Sequence, residues 1–268
     1  MQTELPAGQQ TVMSLDEVRR EIDAIDDGMV DLLARRFRLV EYVKVLKQAH
    51  GGASSPLRPA REATVLRRIV ANGSAAGLNP ELLVRIWPAV FCDASLRQHP
   101  LTIHVSKRLN QTIGNRLRIR DYFPLMQVEE CRDEAEALIQ IDAVPTDICI
   151  VECDAPWVTP LIQGKAGKAR IVASLPALSD SAQPSLFVIA NTLSEATRHD
   201  ETLVLSEGGL PREFPLKPLW ELRNGDHRLT ALPGFLSEKE NPLMGLIRAN
   251  GRIGLKIIGR YPTAMKRA

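Results

Sequence analysis

Aromatic residues are sparse in this chain: Phe, Trp and Tyr make up 4% of its 268 residues. No basic run is interleaved with them, and the formal net charge is only +2. Together these exclude the stacking platforms and basic footprint of a nucleic-acid-binding protein. No stretch approaches the ~18 consecutive apolar residues that a membrane-spanning helix requires. The opening MQTELPAGQQTV has neither a basic n-region nor an apolar h-region, so it is not a secretory signal, and residues 1–12 read as a disordered lead-in. Cysteine is scarce as well: Cys92, Cys131, Cys149 and Cys153 are the only four. Just the last two are close, inside the strand-like ICIVEC, and no His lies at metal-ligand spacing from them. Buried free thiols are therefore expected, with neither zinc nor disulfides, and a cytoplasmic location. A GxGxxG following a strand is missing, which leaves Gly208-Gly209 and Gly225 as turns rather than phosphate loops. His104, His199 and His227 stand isolated and read as surface or structural residues. No cofactor is expected.

What the chain does have is an ordinary globular composition, 44% hydrophobic and 25% charged, in a length that fits one to three domains. Its organising stretch runs from Leu15 to about Gln48. Apolar residues recur there at Val18, Ile22, Ile25, Met29, Leu32, Leu33, Val40 and Val43, mostly three or four apart, which makes one helix face apolar. Ser14 is placed as N-cap and Glu17 completes a capping box. Gly28 costs roughly 1 kcal/mol without stopping the helix. At ~1.5 Å per residue this helix is about 50 Å long, too long to bury its stripe on short neighbours, so a second copy of the chain is the expected partner. Arg36 and Lys47 lie about three turns apart and project from nearly one line. Arg19 is rotated from them by roughly a quarter turn, towards a different pocket.

HGGASSPLRP then breaks the helix. A second helix starts at Pro59 and is expected to stop at Gly73, and a third opens at Asn79-Pro80 and ends at His99-Pro100. Pro88 inside the third predicts a kink or a late start.

These helices resemble the all-helical, intertwined-dimer chorismate mutases of the AroQ class. The likeness covers roughly residues 13–99 and is carried by VRREIDAIDDGMVDLLARR, Lys47, Pro59-Ala60-Arg61-Glu62, VLRRI and RIW…ASLRQ. It implies that Arg19 reaches a neighbouring subunit's pocket to hold a substrate carboxylate, and that Arg36 binds a carboxylate in its own. Lys47 would donate to the ether oxygen and a carboxylate. Arg61 would line the site, Glu62 would accept from the substrate hydroxyl, and Gln98 would be the second donor to the ether oxygen. The chain departs from the family pattern at two places. Arg58 stands where an acidic residue is common, and Ala94 where a Ser commonly helps to bind. Shifting the third helix by one residue restores Ser95 but puts His99 in place of Gln98. The gapless register matches RIW and Leu96 and favours Gln98.

The chemistry the resemblance implies suits such a set. Rearrangement of chorismate, a dianion, to prephenate is pericyclic and requires no nucleophile, general base or metal. It requires a held conformation, and cations plus an amide where negative charge grows on the breaking ether bond. Arginine forks match carboxylates, and the compact Lys ammonium matches a single oxygen.

After Leu101 strands alternate with helices: LTIHVSK, RDEAEALIQI, TDICIVEC, the short helix WVTPLIQG, ARIVASLPAL and PSLFVIANT. This region resembles, more weakly, the periplasmic-binding-like domain of prephenate dehydratases. Ser185, Leu186 and Phe187 occupy the place of that family's Thr-Arg-Phe motif, and without the arginine dehydration of prephenate is not expected. The last segment has strand-helix-strand-helix-strand character, with ENPLMGLIRA a helix capped by Asn241, and looks like a degenerate ACT-type module.

The expected organisation is a lead-in at 1–12, a three-helix mutase domain at 13–100, a degenerate dehydratase-like α/β domain at 101–198 and an ACT-like module at 199–268. The expected function is that of a homodimeric chorismate mutase with chorismate and prephenate as its small-molecule partners. Its C-terminal region would be accessory, binding an aromatic amino acid effector or stabilising the dimer. Two alternatives share the scaffold: an isochorismate pyruvate lyase-type enzyme, and a non-catalytic ligand sensor on a decayed mutase domain.

Overall fold

A computed structural model describes residues 13–49, 57–210, 214–236, 245 and 255–267. They divide after Gly52 into two compact units. The first holds one helix, α1 (Leu15–Ala49) of 35 residues. Its start is fixed as expected: the Ser14 backbone N–H donates to Glu17 Oε2 at 2.7 Å, and the Glu17 N–H donates back to Ser14 Oγ at 3.3 Å. The Ser14 N–H, together with the Ser14 hydroxyl, which donates to Glu17 Oε2 at 2.8 Å, holds the Glu17 carboxyl below its usual range. The apolar stripe is largely exposed, with Ile25 62% and Leu32 66% accessible.

The second unit opens with α2 (Pro59–Ala75) and α3 (Pro80–Gln98), which pack on each other. Asn79 caps α3 by accepting from the Glu81 N–H at 2.9 Å. Two sequence expectations are corrected here. The second helix runs through Gly73, which is buried, and a Cβ on it would sit 2.4 Å from Leu83 Cδ1. Gly73 therefore lets α2 approach α3, and Gly77, at φ +82°, takes the left-handed turn between them. The third helix starts at Pro80 and continues through a buried Pro88, so the late start is ruled out.

A sheet follows, formed by β1 (Thr102–Ser106), β2 (Gln127–Cys131), β3 (Ile148–Glu152), β4 (Arg170–Leu175), β5 (Leu186–Ala190), β6 (Asp200–Ser206), β7 (Trp220–Asn224), β8 (His227–Pro233) and β9 (Lys256–Pro262). Its order is β2-β1-β3-β5-β4-β9-β6-β8-β7. β1 pairs in parallel with β2 and β3, as strands joined by helical crossovers do. The crossover helices are α4 (Lys107–Gln111), α5 (Ile113–Tyr122) and α6 (Glu134–Ala143), and the short α7 (Val158–Ile162) follows β3. Strands on both sides of residue 198 belong to this one sheet, joined where β4 meets β9 at Ile171 and Gly259. The approach there is so close that a Cβ on Gly259 would lie 2.4 Å from Ile171 Cβ and 2.6 Å from the Ile171 carbonyl oxygen.

Alternation along the central strands builds two cores. Cys149, Val151, Phe187 and Ile189 face one side with Trp157, Trp220, Tyr261 and the apolar residues of α6 and α7. Ile148, Ile150, Leu186 and Val188 face the other, with Ile119 of α5 and with Leu57 and Cys92 from the helical segment. All four cysteines are buried and free. In the last segment the expected first helix is replaced by β7 and its preceding turns, since Pro215, Pro218, Gly208 and Gly209 break helices. β7 and β8 form a hairpin through Gly225-Asp226. The expected lead-in at 1–12 and the helix at Asn241 lie outside the described residues. Among the described residues no helix is long and apolar enough to cross a membrane.

Candidate active site

Three of the singled-out residues lie on α1. Arg19 is exposed and pairs with Asp16 at 3.5 Å, a contact of little energetic weight at the surface. Arg36 is half-buried, and burial lowers its guanidinium from its ordinary value. Lys47 sits near the end of the helix, on nearly the same angular line as Arg36, and its side chain lies outside the described residues.

The others lie on α2 and α3. Leu57 is buried just ahead of α2 and anchors its first turn. One turn in, Glu62 turns its carboxylate back so that Oε1 accepts from the Arg58 N–H at 3.2 Å. It thereby satisfies one of the donors a helix start leaves unpaired. Burial nonetheless outweighs that bond and the nearby Arg58 charge, and pushes the Glu62 carboxyl up from 4.5 to about 7. The same charge is felt by Cys92 of α3 and Tyr122 of α5, both of which burial and Glu62 drive upwards. Glu62 thus faces α3 and α5, whereas its neighbour Arg61 is exposed.

At the far end of α3, Gln98 is half-buried and its Nε2 donates to the Ala94 carbonyl at 3.1 Å. Ser95 is buried at 4% exposure. His99 has left the helix: it is the C-cap, exposed and extended, with Nδ1 2.7 Å from the Pro100 carbonyl. Gln98 therefore belongs to the helical face and His99 to the exit.

Arg58 is occupied elsewhere. Its Nη2 donates to Glu195 Oε1 at 2.8 Å and Oε2 at 3.0 Å. Sequence reasoning passed over Glu195, Arg67 and Tyr122. The spacing of Pro59, Leu66 and Arg67 hints that these share a buried helix face. Nothing local, however, gives partners more than a hundred positions away. Ser185 serves the sheet through its backbone, its N–H donating to the Leu175 carbonyl at 3.0 Å and its carbonyl accepting from the Cys153 N–H at 3.1 Å.

The chain was compared with solved structures, curated proteins and protein families. Among solved structures, one titled "GqqA- a novel type of quorum quenching acylases" is 13% identical with a TM-score of 0.40, the match covering 61% of this chain and 95% of that one. A prephenate dehydratase from Streptococcus mutans is 11% identical with a TM-score of 0.40, covering 63% of this chain and 100% of that one. No curated protein matches the chain. The family described as chorismate mutase type II matches residues 18–99, a segment that takes in nearly all of α1 and the whole of α2 and α3. Those three helices, which carry Arg19, Arg36, Lys47, Arg61, Glu62 and Gln98, form the segment that matches the chorismate mutase type II family, and an α/β region follows them.

Proposed function

We propose that the protein is an active chorismate mutase, converting chorismate to prephenate, and that it works as a homodimer. The observation that carries this reading is the family match over residues 18–99. With it the six candidate residues fall in the expected order on three helices: Arg19, Arg36 and Lys47, then Arg61 and Glu62, then Gln98. In this reading Arg36 and Arg61 hold carboxylates, Arg19 serves the partner's pocket, and Lys47 and Gln98 meet the ether oxygen as charge develops there. Glu62 receives the substrate hydroxyl as a carboxylate. The placement of Gln98 on the helix, with His99 turned out of it, supports the amide as the donor. The exposed stripe on α1 supports a second copy of the chain as its cover. Arg58 is drawn to Glu195 and needs no role in binding.

The reaction class needs only positioning and electrostatics from the protein, worth several orders of magnitude in rate. The α/β region has an accessory part, and an aromatic amino acid is the effector class to try first. The decisive experiment follows the loss of chorismate absorbance with purified protein, alongside Lys47→Ala and Arg36→Ala, with isochorismate as a parallel substrate. Activity on chorismate that both substitutions abolish supports the reading. A wild type no faster than the variants overturns it, and turnover of isochorismate alone selects the lyase. Calorimetric titration with phenylalanine and tyrosine tests the effector, and absence of both heat and a change in rate sinks it.

A further inference from the structure

The second helix of the mutase domain is tied to the α/β region by polar side chains at both of its faces toward the sheet. At its start, Thr192 Oγ1 donates to the Leu57 carbonyl at 3.3 Å, and Arg58 pairs with both oxygens of Glu195. Two turns further on, Arg67 reaches into the end of the sheet. Its Nη2 donates to the His199 carbonyl at 3.2 Å, to Thr263 Oγ1 at 3.0 Å and to the Thr263 carbonyl, while Nη1 lies 3.4 Å from Thr197 Oγ1. These acceptors are themselves fixed. Thr197 donates from N and Oγ1 to Asp200, each at 2.7 Å, and the Thr263 N–H donates to the His199 carbonyl at 2.9 Å. The guanidinium thus fastens α2 where β6 begins and β9 ends. Arg61 and Glu62 lie on the stretch of α2 between these two ties.

We propose that Arg67, with the Arg58–Glu195 pair as its second fastening, is a positioning residue for the mutase site: the α/β region sets where Glu62 stands. This rests on the mutase reading above. Four acceptors converge on one partly buried guanidinium, each removed from α2 by more than a hundred positions. Loss of the side chain leaves those acceptors and the helix without a common donor. A carboxylate about one turn away then gains water and freedom, and small misplacements of this kind cost rate rather than binding.

The test uses the full-length protein with Arg67→Ala, Arg67→Lys and the exposed Glu195→Gln, and with Glu221→Gln as a control in the β7–β8 hairpin. The readouts are kcat and KM between pH 5 and 9 and amide hydrogen exchange over residues 59–66. The expected result for Arg67→Ala is a kcat about 10-fold lower with KM changed less than about 2-fold. The acidic limb of its kcat profile moves to lower pH as Glu62 becomes better hydrated, and exchange at 59–66 becomes faster. Arg67→Lys recovers part of kcat, Glu195→Gln gives a smaller loss in the same direction, and the control is unchanged. If Arg67→Ala does not fold, Glu195→Gln decides by the same readouts. A wild type inactive on chorismate overturns the mutase reading, and exchange alone then decides the fastening. An active wild type whose variants keep its kcat, its acidic limb and its exchange rates overturns the positioning role.

Discussion

The two compact units solve the burial problem in opposite ways. The unit that ends at Gly52 offers a single capped helix whose apolar residues stay open, Leu32 at 66% and Val30 at 65% exposure. The unit beyond it closes on itself, with Ile103, Ile148, Phe187 and Val188 at 0% exposure on the two faces of one sheet. One helix cannot enclose its own stripe, whereas a sheet flanked by helices can. The lesson is that the three helices matched by the mutase family meet different physical demands: α1 keeps its apolar stripe exposed, while α2 and α3 share core and polar contacts with an α/β fold.

The contrast can be broken most forcefully at the chemistry. Lys47→Ala is expected to lower kcat/KM for chorismate by roughly 10²–10³-fold, or about 3–4 kcal/mol, because a charge is lost where the transition state needs it. Chemical denaturation should show little change in stability for the same variant, since Lys47 lies near a helix end. A chorismate assay with unaltered kcat/KM would remove Lys47 from the site.

Next in size is the seam of the closed unit. Gly259→Ala must push a methyl group against Ile171, and about 2–4 kcal/mol of stability should be lost. Urea unfolding followed by tryptophan fluorescence measures this, as Trp157, Trp220 and Trp87 all lie in that unit. A midpoint equal to wild type would mean that β4 and β9 are not in contact in solution.

The open unit is probed by Ile25→Glu combined with Leu32→Glu. If the stripe joins two copies, sedimentation should shift from dimer to monomer, and activity should fall with it because Arg19 then has no second pocket to complete. Retained dimers would show that some other surface associates.

The smallest effect lies in pH. Glu62 has its carboxyl raised from 4.5 to about 7, so the folded state binds the extra proton across that window. Its contribution is fully present below pH 4.5 and is lost as pH rises through about 7. Glu62→Gln, which never ionises, should therefore be more stable than wild type above pH 7, by on the order of 2 kcal/mol. The gain should vanish at pH 4. At the same time the wild-type rate should fall below about pH 7 as the carboxylate is lost, whereas a site resting on Gln98 alone would hold its rate. Thermal melts at pH 4 and pH 8 and a pH–rate profile settle both halves.

Much of the local structure was legible because its causes are local. The Ser14–Glu17 box, the Asn79 cap, the Pro59 and Pro80 starts and the alternation in ICIVEC each depend on neighbours a few residues away. Readings failed where a distant contact outweighed the local signal. Gly73 looked like a stop but is the gap into which Leu83 fits. Pro88 stays inside α3, on its buried side. α5 went unread because its apolar residues are interrupted by Arg116, Arg118 and Arg120 and its amphipathic pattern is weak. At the candidate site, spacing placed Arg36 and Lys47 on one line of α1, whereas Arg61, Glu62 and Gln98 were singled out only by the family resemblance. The raised Glu62 carboxyl was not legible, because it depends on how much water α3 and α5 leave around it.

The sequence by itself determined the capped 35-residue helix with its apolar stripe, the order of the candidate cations, and the strands that alternate between two buried faces. Only the tertiary structure decided that Leu57 and Cys92 join the sheet's core, that Arg58 is drawn to Glu195, and that Arg67 fastens α2 to Thr263. The reason is range. Helix caps and periodicity are fixed within a few turns of chain, while desolvation and side-chain pairing depend on whichever distant residues the fold brings within a few ångströms.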